Sequence, residues 1–588
     1  MAVPGLEEDT GDFALVDTFR RWGIHHYLGV GGGGIMNIAK YLEPLWEPSQ
    51  LTDGVPRMLS IGEYVAGFAP IGYYLASGRV AVSCAVTGVA SKLISNGMSD
   101  AKVHNIPAIY LMGLNAISHR GRAPIQDTTP EGMNLPAQLR AELGDDCFII
   151  DRISDIEPAL ERAQQALRES RPVVFGLPPD VTGGKVARPV DVPARPRDRH
   201  VDSADIEAFL RDFPVMAKGR RVVIFVGEEA AFVPGIQALT TRLSKVLQAP
   251  TVWSINGANA VASDNPCAYG YISFGGNDRS LDVWRKISRR DIVITLGFCA
   301  GEYSLALENV QAGTTWHIGA ATRAYNQVDG GFRHRVEGEY RQVRGDIGTA
   351  LEQILPRLEE LGIERPTSEL HTSLNTREII RDVRSDCVDF MRFYEELPKY
   401  WRPHSIGFDD VCVSYKDRQY VTQRPHPNIK FWSLHHGSAM GSGFSMGVGA
   451  KLADPSLHTF MFCGDGCWRL FGGCLADVAK LDLRLFIINN GSYGVVRQGL
   501  ATALAEVHPD RYHHVIPSVD FVGAARAHGW DGYRLAPDLS NLAEIMEHCY
   551  TRQGRSILVE VPMDVAQEIG PSRPSIWRRS SPKLPPNW

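Results

Sequence analysis

No apolar run in this chain reaches the roughly 20 residues that a helical membrane span needs, so a helical membrane protein is excluded. The ten cysteines are scattered through 588 residues without the rhythm of a disulfide framework, which fits a reducing compartment and leads us to expect a cytoplasmic protein. A net charge of −6 gives no basic surplus with which to bind nucleic acid. The N-terminal stretch Met1–Asp12 is acidic and lacks a signal-peptide pattern. No short-period repeat is present, which excludes a solenoid. Nor is there a Gly-x-Ser-x-Gly elbow for a hydrolase triad.

What is present is ordinary globular composition, 44% hydrophobic and 22% charged, in a chain too long for one core. Helical and strand patterns alternate throughout, which predicts an α/β protein of three doubly wound parallel-sheet domains. The first spans residues 1–185, with helical patterns at Phe13–Trp22 and Ile35–Tyr41. Its strands are expected at Tyr27–Val30, Val80–Val86 and Ala108–Met112. The Pro/Arg-rich stretch Ala187–His200 reads as a linker. The second domain spans 186–365, with strands at Val222–Val226, Thr251–Ser254, Ile292–Leu296 and Thr315–Ile318. A weaker linker follows at Gly362–Thr376. The third domain spans 366–588 and ends in a Pro/Arg/Ser-rich tail, Gly570–Trp588.

The third domain carries the most informative stretch. An apolar run, Thr459–Phe462, stops at Gly464-Asp465-Gly466. A segment read as helical, Phe471–Lys480, follows, then a second apolar run, Leu485–Ile488, ending at Asn489-Asn490. Ligands bind at the carboxyl ends of such parallel strands, so Asp465 and Asn490 are expected at one rim. A carboxylate and an amide oxygen, completed by diphosphate oxygens, suit Mg²⁺, and the glycines let backbone approach a phosphate.

In the first domain, Gly29-Val-Gly-Gly-Gly-Gly34 matches the dinucleotide fingerprint, with Asp53 further on. Four consecutive glycines satisfy that pattern easily, and nothing else points to hydride transfer, so a nicotinamide dehydrogenase is the weakest reading. Glu63 follows an apolar strand end and heads a helix of small and apolar residues; burial there would raise its pKa and let it share a proton with a ring nitrogen. A helix-dipole role is the plain alternative. Gln126 lies in a loop flanked by His119, Arg120 and Arg122, whose charge suits an anionic substrate. In the third domain, His435-His436-Gly437-Ser438-Ala439-Met440-Gly441 precedes a small-residue helix, Ser445–Leu452. Cys463, Cys467 and Cys474 bracket the glycine turn, but no His or Cys pair follows at zinc-site spacing, so they read as packing thiols.

In this order, Glu63, Gln126, a middle α/β domain, Met440, Asp465 and Asn490 resemble the thiamine-diphosphate (ThDP) enzymes of the acetolactate synthase and pyruvate decarboxylase type, over nearly the whole chain. Departures are Gly62 where many members have His, Val89-Ala90 where they have Pro-Gly, and a short Asp465-to-Asn490 spacer. The resemblance implies a pyrimidine-binding, a middle and a diphosphate-binding domain. It implies that Asp465, Asn490 and the backbone carbonyl of Ser492 hold Mg²⁺, with Gly464 and Gly466 beside the diphosphate. Met440 would enforce the bent cofactor conformation, the Ser438 carbonyl would hold the 4′-amino group, and Thr87 would also line the cofactor. Glu63 would bond N1′ of the aminopyrimidine so that the 4′-amino nitrogen takes the proton from C2, and Gln126 would face the reaction centre. Gly33, His119, Arg122, His435 and His436 are candidate substrate contacts. The implied reaction is decarboxylation of a 2-oxo acid followed by ligation to a second carbonyl. Alternatives are a simple decarboxylase of a phosphono- or sulfopyruvate-like acid, a C–C lyase or hydrolase, or a non-catalytic regulatory paralogue. A homodimer or homotetramer with sites between subunits is expected. FAD is not, since Val226-Gly227-Glu228-Glu229 and Phe274-Gly275-Gly276 make no phosphate loop.

Overall fold

Among the described residues, nineteen short strands, most of them apolar on both faces, sort into three parallel sheets. In a computed structural model, residues 7–571 are described except 274, 298–300, 306–307, 321–331, 363–372, 377–378, 380–381 and 505. The tail expected from Gly570 lies almost wholly outside the described residues, as do most of the second linker and Phe274. Residues 189–200 of the first linker form neither helix nor strand.

The first sheet contains β1 (His26–Gly29), β2 (Glu43–Pro44), β3 (Arg57–Ser60), β4 (Val82–Ala85), β5 (Ile109–Gly113), β6 (Cys147–Ile149) and β7 (Val173–Leu177), in the order β2-β3-β1-β4-β5-β7-β6. The second contains β8 (Val222–Val226), β9 (Thr251–Trp253), β10 (Ala268–Tyr271), β11 (Ile292–Leu296), β12 (Thr314–Gly319) and β13 (Glu339–Arg344), in the order β10-β9-β8-β11-β12-β13. The third contains β14 (Ser405–Asp409), β15 (Ile429–Ser433), β16 (His458–Gly464), β17 (Leu483–Asn489), β18 (Asp531–Arg534) and β19 (Ile557–Pro562), in the order β15-β14-β16-β17-β19-β18. Runs such as Val-Val-Ile-Phe-Val in β8 are buried at every position, as a strand covered by helices on both sides must be. In each sheet the strand order reverses beside the strand that comes first in sequence among the central ones, at β1/β4, β8/β11 and β14/β16. Ligands bind beyond the carboxyl ends of the strands at such points.

Three helices hold the first and third units together. α1 (Glu63–Ser77) is buried all round from Val65 to Leu75 and ends at Gly78 in the left-handed region. α2 (Ala90–Val103) packs on one side of it and α3 (Ser442–Ala453) on the other. Backbones touch in both contacts. A Cβ on Gly97 would lie 1.9 Å from the Gly67 carbonyl oxygen, and one on Gly449 would lie 1.8 Å from that of Ala69. A fourth helix, α4 (Gly494–Ala503), follows β17.

Two expected elements differ. Phe471–Lys480 is not an α-helix: Cys467–Leu470, Gly472–Cys474 and Ala476–Val478 form three short 3₁₀ turns. The glycine pair Gly472-Gly473 weakens helix propagation, and the Trp468 ring closes over Gly472, where a Cβ would meet it at 2.7 Å. The helix predicted at Ile35–Tyr41 is a single turn, Met36–Ala39.

Candidate active site

The third sheet builds one half of the site. β16 ends at Gly464 and Asp465 follows, 6% exposed. Its carboxylate accepts the N–H of Gly491 at 2.6 Å and of Gly466 at 2.9 Å. Burial pushes its pKa up to about 6, although these N–H groups pull the other way. Asn490, just past β17, accepts the Ser492 N–H at 3.0 Å through its side-chain oxygen. The β16–β17 pairing therefore brings Asp465 and Asn490 to one rim. A cavity of about 240 Å³ opens there, lined by Ser438, Met440, Asp465, Gly466, Asn490 and Ser492 among others. Gly466 has no room for a side chain, since a Cβ would stand 2.5 Å from the Tyr493 ring.

The turn carrying Ser438 and Met440 is held from three directions. Ser438 adopts a left-handed conformation at φ 53°, and its hydroxyl donates to the His435 carbonyl at 2.7 Å. Gly441, at φ 85°, donates its N–H to both oxygens of Asp410, at 3.0 and 2.9 Å. The Tyr64 hydroxyl donates to the Met440 carbonyl at 2.5 Å. Asp410 is fully buried, and burial pushes its pKa up to about 6. Sequence reasoning missed both Asp410 and Tyr64. Asp410 carried a readable signal, a carboxylate just after the apolar strand Ile406–Phe408. Tyr64 carried none beyond its place next to Glu63.

The first sheet builds the other half. Glu63 is the first residue of α1 and is half-buried. Its neighbour Gly62 abuts the 3₁₀ turns of the third unit, where a Cβ would lie 2.9 Å from Cys474 Sγ. Past β4, Thr87 donates its N–H and its hydroxyl to the Gly33 carbonyl, at 2.9 and 3.1 Å. Gly88 touches Gln126, which is exposed and left-handed at φ 56°. Gly33, Thr87 and Gln126 thus converge. Glu63 follows β3 on the same carboxyl rim.

The glycine run is used by the protein itself: a Cβ on Gly34 would stand 2.1 Å from Thr87 Oγ1. Asp53 is taken by Arg57, at 2.5 Å. Neither is available in the manner of a dinucleotide site. His119 and Arg122 are exposed on the loop beyond β5. Among the described residues, Glu63, Thr87 and Gln126 do not line the cavity around Asp465. His435 does not line it either. It is 2% exposed and its Nε2 lies 3.0 Å from Glu228 of the middle unit. The cysteines Cys463 and Cys467 are buried thiols whose pKa burial raises well above the usual range, as expected of packing residues.

Residues 9–135 match the family described as thiamine pyrophosphate enzyme, N-terminal TPP binding domain, and residues 413–561 match thiamine pyrophosphate enzyme, C-terminal TPP binding domain. The chain is 20% identical to the acetolactate synthase isozyme 1 large subunit of Escherichia coli K12, over 96% of each chain. It is 23% identical to the acetolactate synthase of Arthrospira platensis, over 83% of each. Its fold superposes with a TM-score of 0.73 on the ThDP-dependent 4-hydroxybenzoylformate decarboxylase of Rhodococcus jostii RHA1, at 16% identity, covering 95% of this chain and 100% of that one.

Proposed function

The chain belongs to the superfamily of thiamine-diphosphate-dependent enzymes that includes the acetolactate synthases, and from that premise we propose that it decarboxylates a 2-oxo acid and ligates the product to a second carbonyl compound. The observation that carries the site assignment is the meeting of Asp465, Asn490 and Ser492 with Ser438 and Met440 around one cavity of about 240 Å³. The preference for ligation rests on the near-full-length likeness to acetolactate synthases.

The residues fit the cofactor. A carboxylate buried to 6% exposure, with its pKa raised by burial, is stabilised by a nearby cation. Asp465, the Asn490 amide oxygen and the Ser492 carbonyl are hard donors of the kind Mg²⁺ takes beside a diphosphate. When bound, ThDP supplies an acidic carbon and an electron sink for breaking a bond next to a carbonyl. The chain's own groups then have distinct tasks. Gly464 and Gly466 leave the diphosphate access to backbone N–H groups. Met440, fixed by Asp410 through Gly441 and by Tyr64, would support the bent cofactor. Glu63 would hold or share a proton at the aminopyrimidine ring. Gln126 and the basic loop with His119 and Arg122 would face the acid substrate.

Two copies of the chain would complete each site, Glu63 coming from one and Asp465 from the other. Apolar side chains are exposed beside both halves, Val89 and Ile125 near the first rim and Leu470, Val495 and Val496 near the second. No FAD is expected: Glu228 of the middle unit is engaged with histidines rather than open to a phosphate.

The test is an assay with ThDP and Mg²⁺ against a panel of 2-oxo acids, following CO₂ release and product structure. A 2-hydroxy ketone supports ligation, whereas an aldehyde alone makes the enzyme a plain decarboxylase. The Glu63→Gln protein should fold, bind cofactor and lose on the order of 100-fold or more in turnover. Near-wild-type turnover would remove Glu63 from the mechanism, and failure to bind ThDP with Mg²⁺ would remove the whole reading. An absorbance scan of the purified protein checks flavin directly.

A further inference from the structure

A second polar centre lies where the three units meet. His104 follows the end of α2 in the first unit, Glu228 follows β8 at the reversal point of the middle sheet, and His435 and His436 follow β15 in the third. The ligand-capable atoms of these four side chains all lie within 4.8 Å of one another. His104, Glu228 and His435 are buried and His436 is partly so.

The hydrogen bonds assign the protons. The His436 backbone N–H donates to His104 Nε2 at 3.1 Å. With that lone pair used, a neutral His104 carries its proton on Nδ1, which faces Glu228 Oε2 at 3.4 Å. His435 Nδ1 lies 3.3 Å from the Ser433 carbonyl, so it is a donor, and the neutral ring then has its lone pair on Nε2. Two atoms are then left over, Glu228 Oε1 and His435 Nε2. Both are buried without a hydrogen bond, and they lie 3.0 Å apart. A carboxylate oxygen and a ring nitrogen at that distance in a dry interior need a cation between them, either a proton or a metal ion. Beside Glu228 is a void of about 20 Å³, bordered by His104, His436 and Arg197 among others, which has room for one ion or one water.

We propose that Glu228, His435 and His436 hold a divalent transition-metal ion of the zinc type at this junction, with His104 orienting the Glu228 carboxylate. Tetrahedral ligands at zinc bond lengths stand about 3.3 Å from one another, close to the observed spacing of the two leftover atoms. The His435 Nδ1–H on a backbone carbonyl is the usual outer support of an Nε2 ligand, and the His104 Nδ1–H on Glu228 Oε2 is its carboxylate counterpart. Asp100, 2% exposed, accepts the Gly437 N–H at 3.0 Å and leaves its second oxygen without a hydrogen bond. An imidazole-rich set selects zinc-like ions over Mg²⁺, in contrast to the oxygen set at Asp465 and Asn490. The ion ties the middle unit to both others.

The experiment uses the full-length enzyme, stripped with a chelator and restored with ThDP and Mg²⁺. It is then titrated with Zn²⁺, read by elemental analysis after desalting, and with Co²⁺, read by visible absorption. About one zinc-type ion per chain should be retained in addition to Mg²⁺, and the melting temperature should rise on adding it. Glu228→Gln and His435→Gln should each weaken retention by at least about tenfold, and Asp465→Ala should leave it intact. A wild-type chain that retains no such ion, or retention unchanged in Glu228→Gln, overturns the proposal and makes the group a buried ion pair. A strong thiolate charge-transfer band with Co²⁺ would place the ion on the cysteines near Asp410 and also overturns it. If the ligand variants fail to fold, the wild-type Co²⁺ titration decides: ligand-field bands without thiolate absorption support the site, and a silent spectrum sinks it.

Discussion

His26 sits on β1 with its Nδ1 2.9 Å from the Tyr73 hydroxyl, 5% exposed. Burial, with help from His25 and Arg79, lowers its pKa to about 4 from the usual 6.5, against smaller opposing effects of Leu51 and Asp53. The unfolded chain therefore takes up a proton near pH 6.5 and the folded chain only near 4. His26 contributes its full stability above 6.5 and loses it as pH falls towards 4, a change of roughly 3 kcal/mol at most. The raised pKa values of Asp100 and Asp410 act with the opposite sign, so the comparison must be with a variant. Between pH 7 and pH 4.5, His26→Asn should lose less of its urea midpoint than the wild type; equal losses would disprove this. Such residues also show what the sequence conceals. The places of Asp465, Asn490 and Glu63 were readable because each stands at a strand end beside a recognisable glycine or helix start, and Asp410 carried the same kind of signal. The contacts of Tyr64 and Glu228 were not readable, because they exist only through partners far along the chain, 376 residues away for Tyr64 and Met440.

The helices α1 and α3 were legible as elements but not as a contact. Their small residues announce close packing, yet which glycine meets which backbone depends on how the two units dock. Gly72 and Gly449 lie at the contact, where a Cβ would stand 1.9 Å from the Met446 carbonyl oxygen and 1.8 Å from that of Ala69. Alanine is the better helix former by about 1 kcal/mol, so an exposed glycine would gain from replacement. Here the overlap is with backbone, which cannot step aside, and overpacking costs of about 3 kcal/mol win. Gly72→Ala and Gly449→Ala should lower the melting temperature clearly. Gly499→Ala on α4, where a Cβ would meet nothing within 4 Å, should leave it unchanged or raise it. If all three variants behave alike, the close approach of α1 and α3 is not what holds these units together. The same dependence on neighbours explains the misread segment after Asp465. Its residues suit a helix by pattern, but the glycine pair and the Trp468 ring favour 3₁₀ turns.

The three parallel sheets were visible in the alternation of apolar runs and helical periods, because that pattern is local. How the sheets complete a site is not local, and it is where the chain alone stops short. Glu63, Thr87 and Gln126 occupy the rim of the first sheet, and the cavity around Asp465 belongs to the third. If each site takes Glu63 from one copy and Asp465 from the other, two inactive proteins should rescue one another. A Glu63→Gln homodimer lacks the proton-sharing group at both sites, and an Asp465→Ala homodimer lacks the metal ligand at both. Random exchange of subunits makes half the dimers mixed. Each mixed dimer has one site with both defects and one with neither. Co-expression should therefore restore about a quarter of the wild-type sites per dimer, well above either parent. A site built within one chain would contain a defect in every copy, and mixing would restore nothing. The outcome is read from specific activity with ThDP and Mg²⁺ before and after tag-based isolation of the mixed species, in which half the sites should be intact, and the isolation excludes unequal expression as the cause of rescue.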